Sequence, residues 1–223
     1  MTDPYSRIFA FFDELSLNNN RPWFAEHRPE FDELRAIWMA DLSRLINAMT
    51  SWMPALEGQT PASCSYRIYR DTRFSPDKTP LKTYFSAAIS PFGRKTHYAS
   101  FYIQIGLDQA STGLYGGLWC PEAPLLAKLR HAIVDNIEEF TEITTTPAIE
   151  RDFPGWVGDR LKTIPKGWDR NHPQAELLRL KEYGKFHQCQ RSFFADPEWP
   201  LKASELFHEL LPLIDFINYS IDE

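Results

Sequence analysis

The chain has 223 residues, 43% of them hydrophobic and 24% charged, with a formal net charge of −6. Those proportions support a sizeable packed core and weigh against disorder. The acidic total weighs against nucleic acid as a partner, because such proteins need a basic surface to displace counterions. Cys64, Cys120 and Cys189 are far apart and never form a C-x-x-C pair, which speaks against a disulfide framework or zinc knuckle and for a reducing compartment.

The first residues, MTDPYSRIFAFFDEL, carry no basic leader, and charges interrupt their apolar run. No stretch reaches the ~18 apolar residues of a membrane span. The expectation is a cytoplasmic protein with no membrane partner.

Residues 5–17 read as an amphipathic helix, with Ile8, Phe9, Phe12 and Leu15 on one face. NNN at 18–20 is a turn, and Asn20 caps the next helix, with Pro22 in its first turn. The helical period then runs to Trp52, and Pro29 starts a new helix or kinks a continuing one. A connector covers 54–63. Beyond it the period changes to two, which predicts strands at 65–74, 83–90, 98–107 and 111–119, the third and fourth as an antiparallel hairpin.

CPEAPLLAKLRHAIVDNIEEF reads as one helix, begun by Pro121 or Pro124, with Leu125, Leu129, Ile133 and Ile137 as its inner stripe. Residues 144–171, with three prolines and three glycines, read as loop with short helical turns. A helix capped by Asn171 is expected over 173–181. A strand or extended arm comes next at 184–193, and then a helix at 201–219 bent or split by Pro212. Helices, then strands, then helices indicate α+β: a mainly antiparallel sheet from the middle of the chain packed against N- and C-terminal helices, in a single domain over 1–223.

The chain lacks G-x-G-x-x-G, G-x-x-x-x-G-K-[ST], H-E-x-x-H and G-x-S-x-G, and its six histidines have no tight metal spacing. No metal or cofactor is expected. Cys120 stands near a predicted helix start, where a thiol's pKa can fall, but a small packed residue is the commoner role.

The unusual stretch is RIYRDTRFSPDKTPLK at 67–82, where Arg67, Arg70, Arg73, Lys78 and Lys82 face only Asp71 and Asp77. On an ideal strand Arg67, Tyr69, Asp71 and Arg73 share one face, and Asp71 can pair with either arginine. Arg70 falls on the other face beside Ile68 and Phe74 and must find an acceptor. Ser75-Pro76-Asp77-Lys78 suits a type I turn, so Lys78 and Lys82 ride a proline-stiffened loop. Further on, LYGGLWCPE offers Gly116 and Gly117 for close backbone approach, then Trp119, then a helix start where Glu122 could serve as an acceptor for Arg70 or Arg73.

NNNRPWFAEHRPEFDELR, RIYRDTRFSPDKTPLKTYFSAAI, GLYGGLWCPEAPLLAKLRHAI, PKGWDRNHPQAELLRLKEY and LLPLIDFINYSI occur in this order. Together they resemble a bacterial family of conserved hypothetical proteins, domain of unknown function 2461, from about Phe9 to Ile221. The resemblance implies no activity. It implies that a site would lie at the basic strand-turn and the Gly-Gly-Leu-Trp segment. Cys120 departs from the apolar residue expected there, which weakens a catalytic role for its thiol.

Three readings are open. The first is a site for an anionic, perhaps phosphorylated, small molecule, with Arg67, Tyr69, Arg70, Arg73, Lys78, Lys82, Tyr102, Gly116, Gly117 and Trp119 as ligand-binding residues. Asp71 and Glu122 are then the acid–base candidates, with no reaction named. The second is a non-catalytic module that docks a protein or nucleic acid through its basic patch. The third is an internal salt-bridge network that binds nothing. The sequence does not disclose the oligomeric state.

Overall fold

The computed structural model describes residues 3–222. Its α-helices are α1 (Pro4–Leu17), α2 (Arg21–Glu26), α3 (Arg28–Thr50), α4 (Pro61–Cys64), α5 (Ala123–Asp135), α6 (Ile137–Thr144), α7 (Pro147–Asp152), α8 (Ala175–Leu178), α9 (Arg191–Ala195), α10 (Trp199–Glu209) and α11 (Leu211–Asp222). The strands are β1 (Tyr84–Ile89), β2 (Ser100–Gly106), β3 (Gly113–Leu118) and β4 (Tyr183–Gln188), in one antiparallel sheet of order β1-β2-β3-β4. The fold is α+β, as the succession of periods indicates.

The chain groups into two compact units. The first holds the residues up to Arg94, Tyr102–Leu114 and Gln188–Glu205. The second holds Lys95–Phe101, Tyr115–His187 and the chain from Leu206 on.

In the first unit, Asp3 caps α1 by accepting from the N–H groups of Tyr5 (3.2 Å) and Ser6 (2.9 Å). Asn20 caps α2 as expected, accepting from Trp23 N at 3.0 Å. Pro29 starts a new helix: α2 stops at Glu26 and α3 begins at Arg28. The apolar stripe of α3 buries Phe31, Leu34, Trp38, Leu42, Leu45 and Met49. Trp38 lies at its centre, stacked on Phe85 (5.9 Å, 5°) and on Trp199 (6.3 Å, 4°). Phe12 meets Phe85 edge-on at 5.0 Å. Such aromatic pairs add to the area term that dominates core stability.

In the second unit, Phe140 stacks on Trp156 (5.5 Å, 5°) and packs against Phe216 at 5.2 Å. The helix expected over 120–140 is two helices. Asn136 interrupts it, its side-chain amide donating to Ala132 O at 2.9 Å, which is how Asn competes with helical backbone bonds. The helix expected over 173–181 shrinks to α8. Residues 179–181 pair instead with 159–161: Arg160 bridges Leu180, and Lys181 N donates to Asp159 O. Asn171 does not cap α8, which starts later with Gln174 at its N-cap and no side-chain capping bond. Pro212 splits the last helix as expected, giving α10 and α11. Among the described residues, no helix is long and apolar enough to cross a membrane.

Candidate functional site

The predicted strand 65–74 is one leg of an irregular arm. Isolated antiparallel bridges join Ser65 to Ala87 and Tyr69 to Leu81. Tyr66 N donates to Ser86 O (2.9 Å), Lys82 N to Ile68 O (2.8 Å) and Arg70 N to Pro80 O (2.9 Å). Past Arg70 the ladder stops. Pro76 and Pro80 have no N–H to give, and two aspartates cap turns of their own: Asp71 accepts from Arg73 N at 3.2 Å and Asp77 from Thr79 N at 2.9 Å. Asn19 anchors the base of the arm, exchanging two bonds with the Leu81 backbone at 2.9 and 3.1 Å. Ile68 and Leu81 are buried, whereas Arg67 and Tyr69 are exposed.

Most of the arm's charge is already answered within the arm. Arg73 grips Asp71 in a fork, Nε to Oδ1 at 3.0 Å and Nη2 to Oδ2 at 2.7 Å. Arg70, half-buried as its face predicts, donates to Asp77 and to the Thr79 hydroxyl. Its acceptor is therefore Asp77, and neither Arg70 nor Arg73 takes Glu122. Lys78 Nζ donates to Thr72 O at 2.9 Å. The hydrogen bonds from Arg73 and Arg70 hold the Asp71 and Asp77 carboxyls down to about 2. Asp71 is thus a fixed anion near neutral pH and does not shuttle protons there.

Arg67 and Lys82 remain. Among the described residues neither forms an ion pair. Lys82 Nζ lies over the rings of Tyr66 (5.2 Å) and Tyr84 (5.4 Å). Burial, then the charges of Arg67 and Arg70, push the Lys82 amine below its ordinary pKa, so three cationic heads act on one another here. Tyr102 packs 6.4 Å from Tyr66, donates to Gln104 Oε1 at 2.7 Å, and is pushed up to about 12 by burial. Tyr66 and Tyr84 flank the Lys82 ammonium, and sequence reasoning did not single them out. Tyr84 was within reach, because it sits two positions after Lys82 on the same face of an extended chain.

The other sequence candidates belong to the second unit. Gly116 and Gly117 are buried in β3, and packing accounts for both. A Cβ on Gly116 would press on Leu210 Cδ1 at 2.6 Å. Gly117, at φ +145°, lies against the Tyr183 carbonyl and Gly184. Trp119 is 66% exposed, its ring edge-on to Tyr115 at 5.8 Å. Glu122 stands at the N-cap of α5 but makes no capping hydrogen bond. Cys120 adopts φ +45°, and its N–H and thiol both donate to the buried Glu182 carboxylate, at 3.2 and 3.6 Å. Burial and Glu182 push that thiol up rather than down, so Cys120 is not activated as a helix-start thiolate. The structure brings together Arg67, Arg70, Lys82 and Tyr102 in the first unit, with Arg73 and Lys78 engaged along the same arm.

The first unit also carries an open groove of about 360 Å³ beside α1 and α9, lined in part by Phe9, Asp13 and Arg191. Its arginine is already paired with Asp13 at 3.4 Å and lies over the Phe9 ring at 4.7 Å, so it offers no free cation to an anion. Among the described residues no group of three or more His, Cys, Asp or Glu side chains could hold a metal ion.

The family model of the conserved hypothetical protein DUF2461 matches residues 7–216. The chain belongs to this family. No curated protein and no solved structure matches it. In this DUF2461 chain, Arg67 and Lys82 are the two cations of the arm that form no ion pair and no side-chain hydrogen bond among the described residues.

Proposed function

We propose that the protein binds an anionic small molecule, a carboxylate or phosphate ester, at Arg67 and Lys82 with the rings of Tyr66, Tyr84 and Tyr102 beside them. One observation carries this reading: Asp71 and Asp77 are bonded to Arg73 and Arg70, while neither Arg67 nor Lys82 forms an ion pair among the described residues, Asp71 acting on Arg67 only at longer range. Gathered cations repel one another and lower stability, and an anion with two or three oxygens relieves that repulsion. Guanidinium supplies the fork and ammonium a point charge. None of the three cysteines forms a disulfide, which supports a reducing, cytoplasmic setting for such a ligand.

The test is a thermal-shift screen against phosphorylated metabolites, nucleotides and oxo acids, on the native chain and on Arg67→Ala. A bound anion should raise Tm in proportion to the logarithm of its concentration. Arg67→Ala should weaken that binding about 10- to 150-fold, the worth of one charged hydrogen-bonded contact. No stabilisation by any compound overturns the reading.

Phe74 favours a second reading. It is 94% exposed at the end of the arm, with Arg73 at 5.9 Å from its ring. That pairing of aromatic and cation suits docking of a partner protein. Under this reading, Phe74→Ala abolishes capture of the partner and leaves anion binding intact.

A further inference from the structure

Lys82 differs from the other lysines whose surroundings the structure defines. Lys78 donates a hydrogen bond to the Thr72 carbonyl. Lys185 is more deeply buried, yet its ammonium is held by the carbonyls of Phe153 (3.4 Å) and Gly155 (3.2 Å) and by the Trp156 ring at 4.7 Å. Lys181 and Lys202 pair with Asp159 and Asp196, and Lys128 donates to Ile221 O. Of these six lysines, Lys82 alone has an ammonium that makes no hydrogen bond. Its Nζ faces two aromatic rings, and the charges that act on it, Arg67 and Arg70, are both positive. Ring faces attract an ammonium only modestly, about 0.5–1 kcal/mol at open sites.

A lysine kept merely for charge is better served at the surface beside a carboxylate. Partial burial next to other cations is how an amine is made nucleophilic, because both effects favour the neutral form with its lone pair free. We propose that Lys82 is an imine-forming amine, condensing with the carbonyl carbon of an oxo acid or an aldehyde phosphate whose anionic end is held by Arg67. This inference rests on the anion site proposed above and names the substrate class that site would take.

The step balances without an oxidant or reductant. The neutral Nζ adds to the carbonyl carbon, forming the C–N bond as the carbonyl π electrons move to oxygen. One proton passes from nitrogen to that oxygen, giving a carbinolamine. Protonation of the hydroxyl lets the C–O bond break, and one water leaves. The product is a protonated imine on Lys82, with its positive charge beside the substrate's own anion. The arginine supplies binding and the lysine supplies the bond, so the ligand must carry both an anionic group and a carbonyl.

Reductive trapping tests this directly. The full chain is incubated with glyoxylate, with pyruvate and with glyceraldehyde 3-phosphate, reduced with borohydride, and mapped by mass spectrometry. Hydride adds to the imine carbon and fixes the ligand as a secondary amine. The expected result is an adduct on Lys82 in large excess over Lys78 and Lys128, with the excess growing as pH is lowered toward neutrality. Arg67→Ala should lower Lys82 labelling about 10- to 150-fold at subsaturating ligand. Lys82→Arg, which keeps a cation but has no amine to condense, should abolish the adduct. Labelling of Lys82 no greater than that of the surface lysines overturns the imine, and if anion stabilisation is still seen then, the binding site stands without it. Absence of both adduct and stabilisation overturns both readings.

Discussion

Cys189 should make stability fall steeply in alkali, and its replacement should reverse sign with pH. The residue is buried just beyond β4, its N–H donating to Thr112 O at 3.0 Å. Burial pushes its thiol from 9.0 up to about 12. Between those values the unfolded chain has lost the thiol proton and the folded chain has kept it. The folded state binds more protons there, so stability falls as pH rises, at about 1.4 kcal/mol per pH unit. The contribution is fully present below pH 9, and by pH 11 about 2.7 kcal/mol of it is gone. Cys189→Ala cannot lose this contribution, but it deletes a buried sulfur, worth about 1 kcal/mol.

The variant should therefore be less stable than the native chain at pH 8, equal to it near pH 10, and more stable at pH 11. Tyr102 and Tyr183, both pushed up to about 12 by burial, destabilise either chain in alkali and cancel in the difference. Lys82 and Lys185 lie below their ordinary values. They contribute with the opposite sign and cancel too. Urea unfolding of both chains at each pH measures this, and parallel curves with no crossing would refute the account of the thiol.

Gly117→Ala should lower stability by at least about 2 kcal/mol, because a Cβ at φ +145° is strained and also meets the Tyr183 carbonyl; urea unfolding reads it, and a loss under about 0.5 kcal/mol would show that β3 and β4 can part without penalty. Asp77→Asn should release Arg70 to the anion site. Phosphate should then protect the chain at lower concentration than it does the native protein, and unchanged protection would mean that Arg70 takes no part in binding.

Where one physical signal dominated, the fold could be read directly. The alternation of Phe101, Ile103 and Ile105 with Tyr102 and Gln104 survives in β2 as buried against half-buried positions, since a one-residue slip would turn a core face to water. The arm was harder. Residues 67–70 keep their alternation, but beyond them Asp71 and Asp77 give the backbone local bonds that replace a ladder. At Asn136, and again at 179–181, helical periodicity was overruled by a side chain and by a pairing partner about twenty residues earlier. The site was partly legible, because Arg70's need for an acceptor follows from its face. Which acceptor it finds depends on how the turn folds back, and Asn19 meets Leu81 across 62 residues of sequence. No local pattern records such a meeting.

The two units are woven from one thread. The chain crosses the boundary inside β2, between Phe101 and Tyr102, inside β3, between Leu114 and Tyr115, inside β4, between His187 and Gln188, and inside α10, between Glu205 and Leu206, as well as after Arg94. No continuous piece of the gene therefore encodes either unit. A fragment ending at Arg94 would carry the basic arm but lack Trp199 and the stretch with Tyr102, so it would uncover the face of Trp38 on which Trp199 stacks and leave β1 without its neighbour β2. Dissection by truncation is closed to this architecture. A protease nick in the loop between α7 and α8 is a different matter: both halves of the second unit's wall would still be present, and the cut chain should hold together until denaturant separates it.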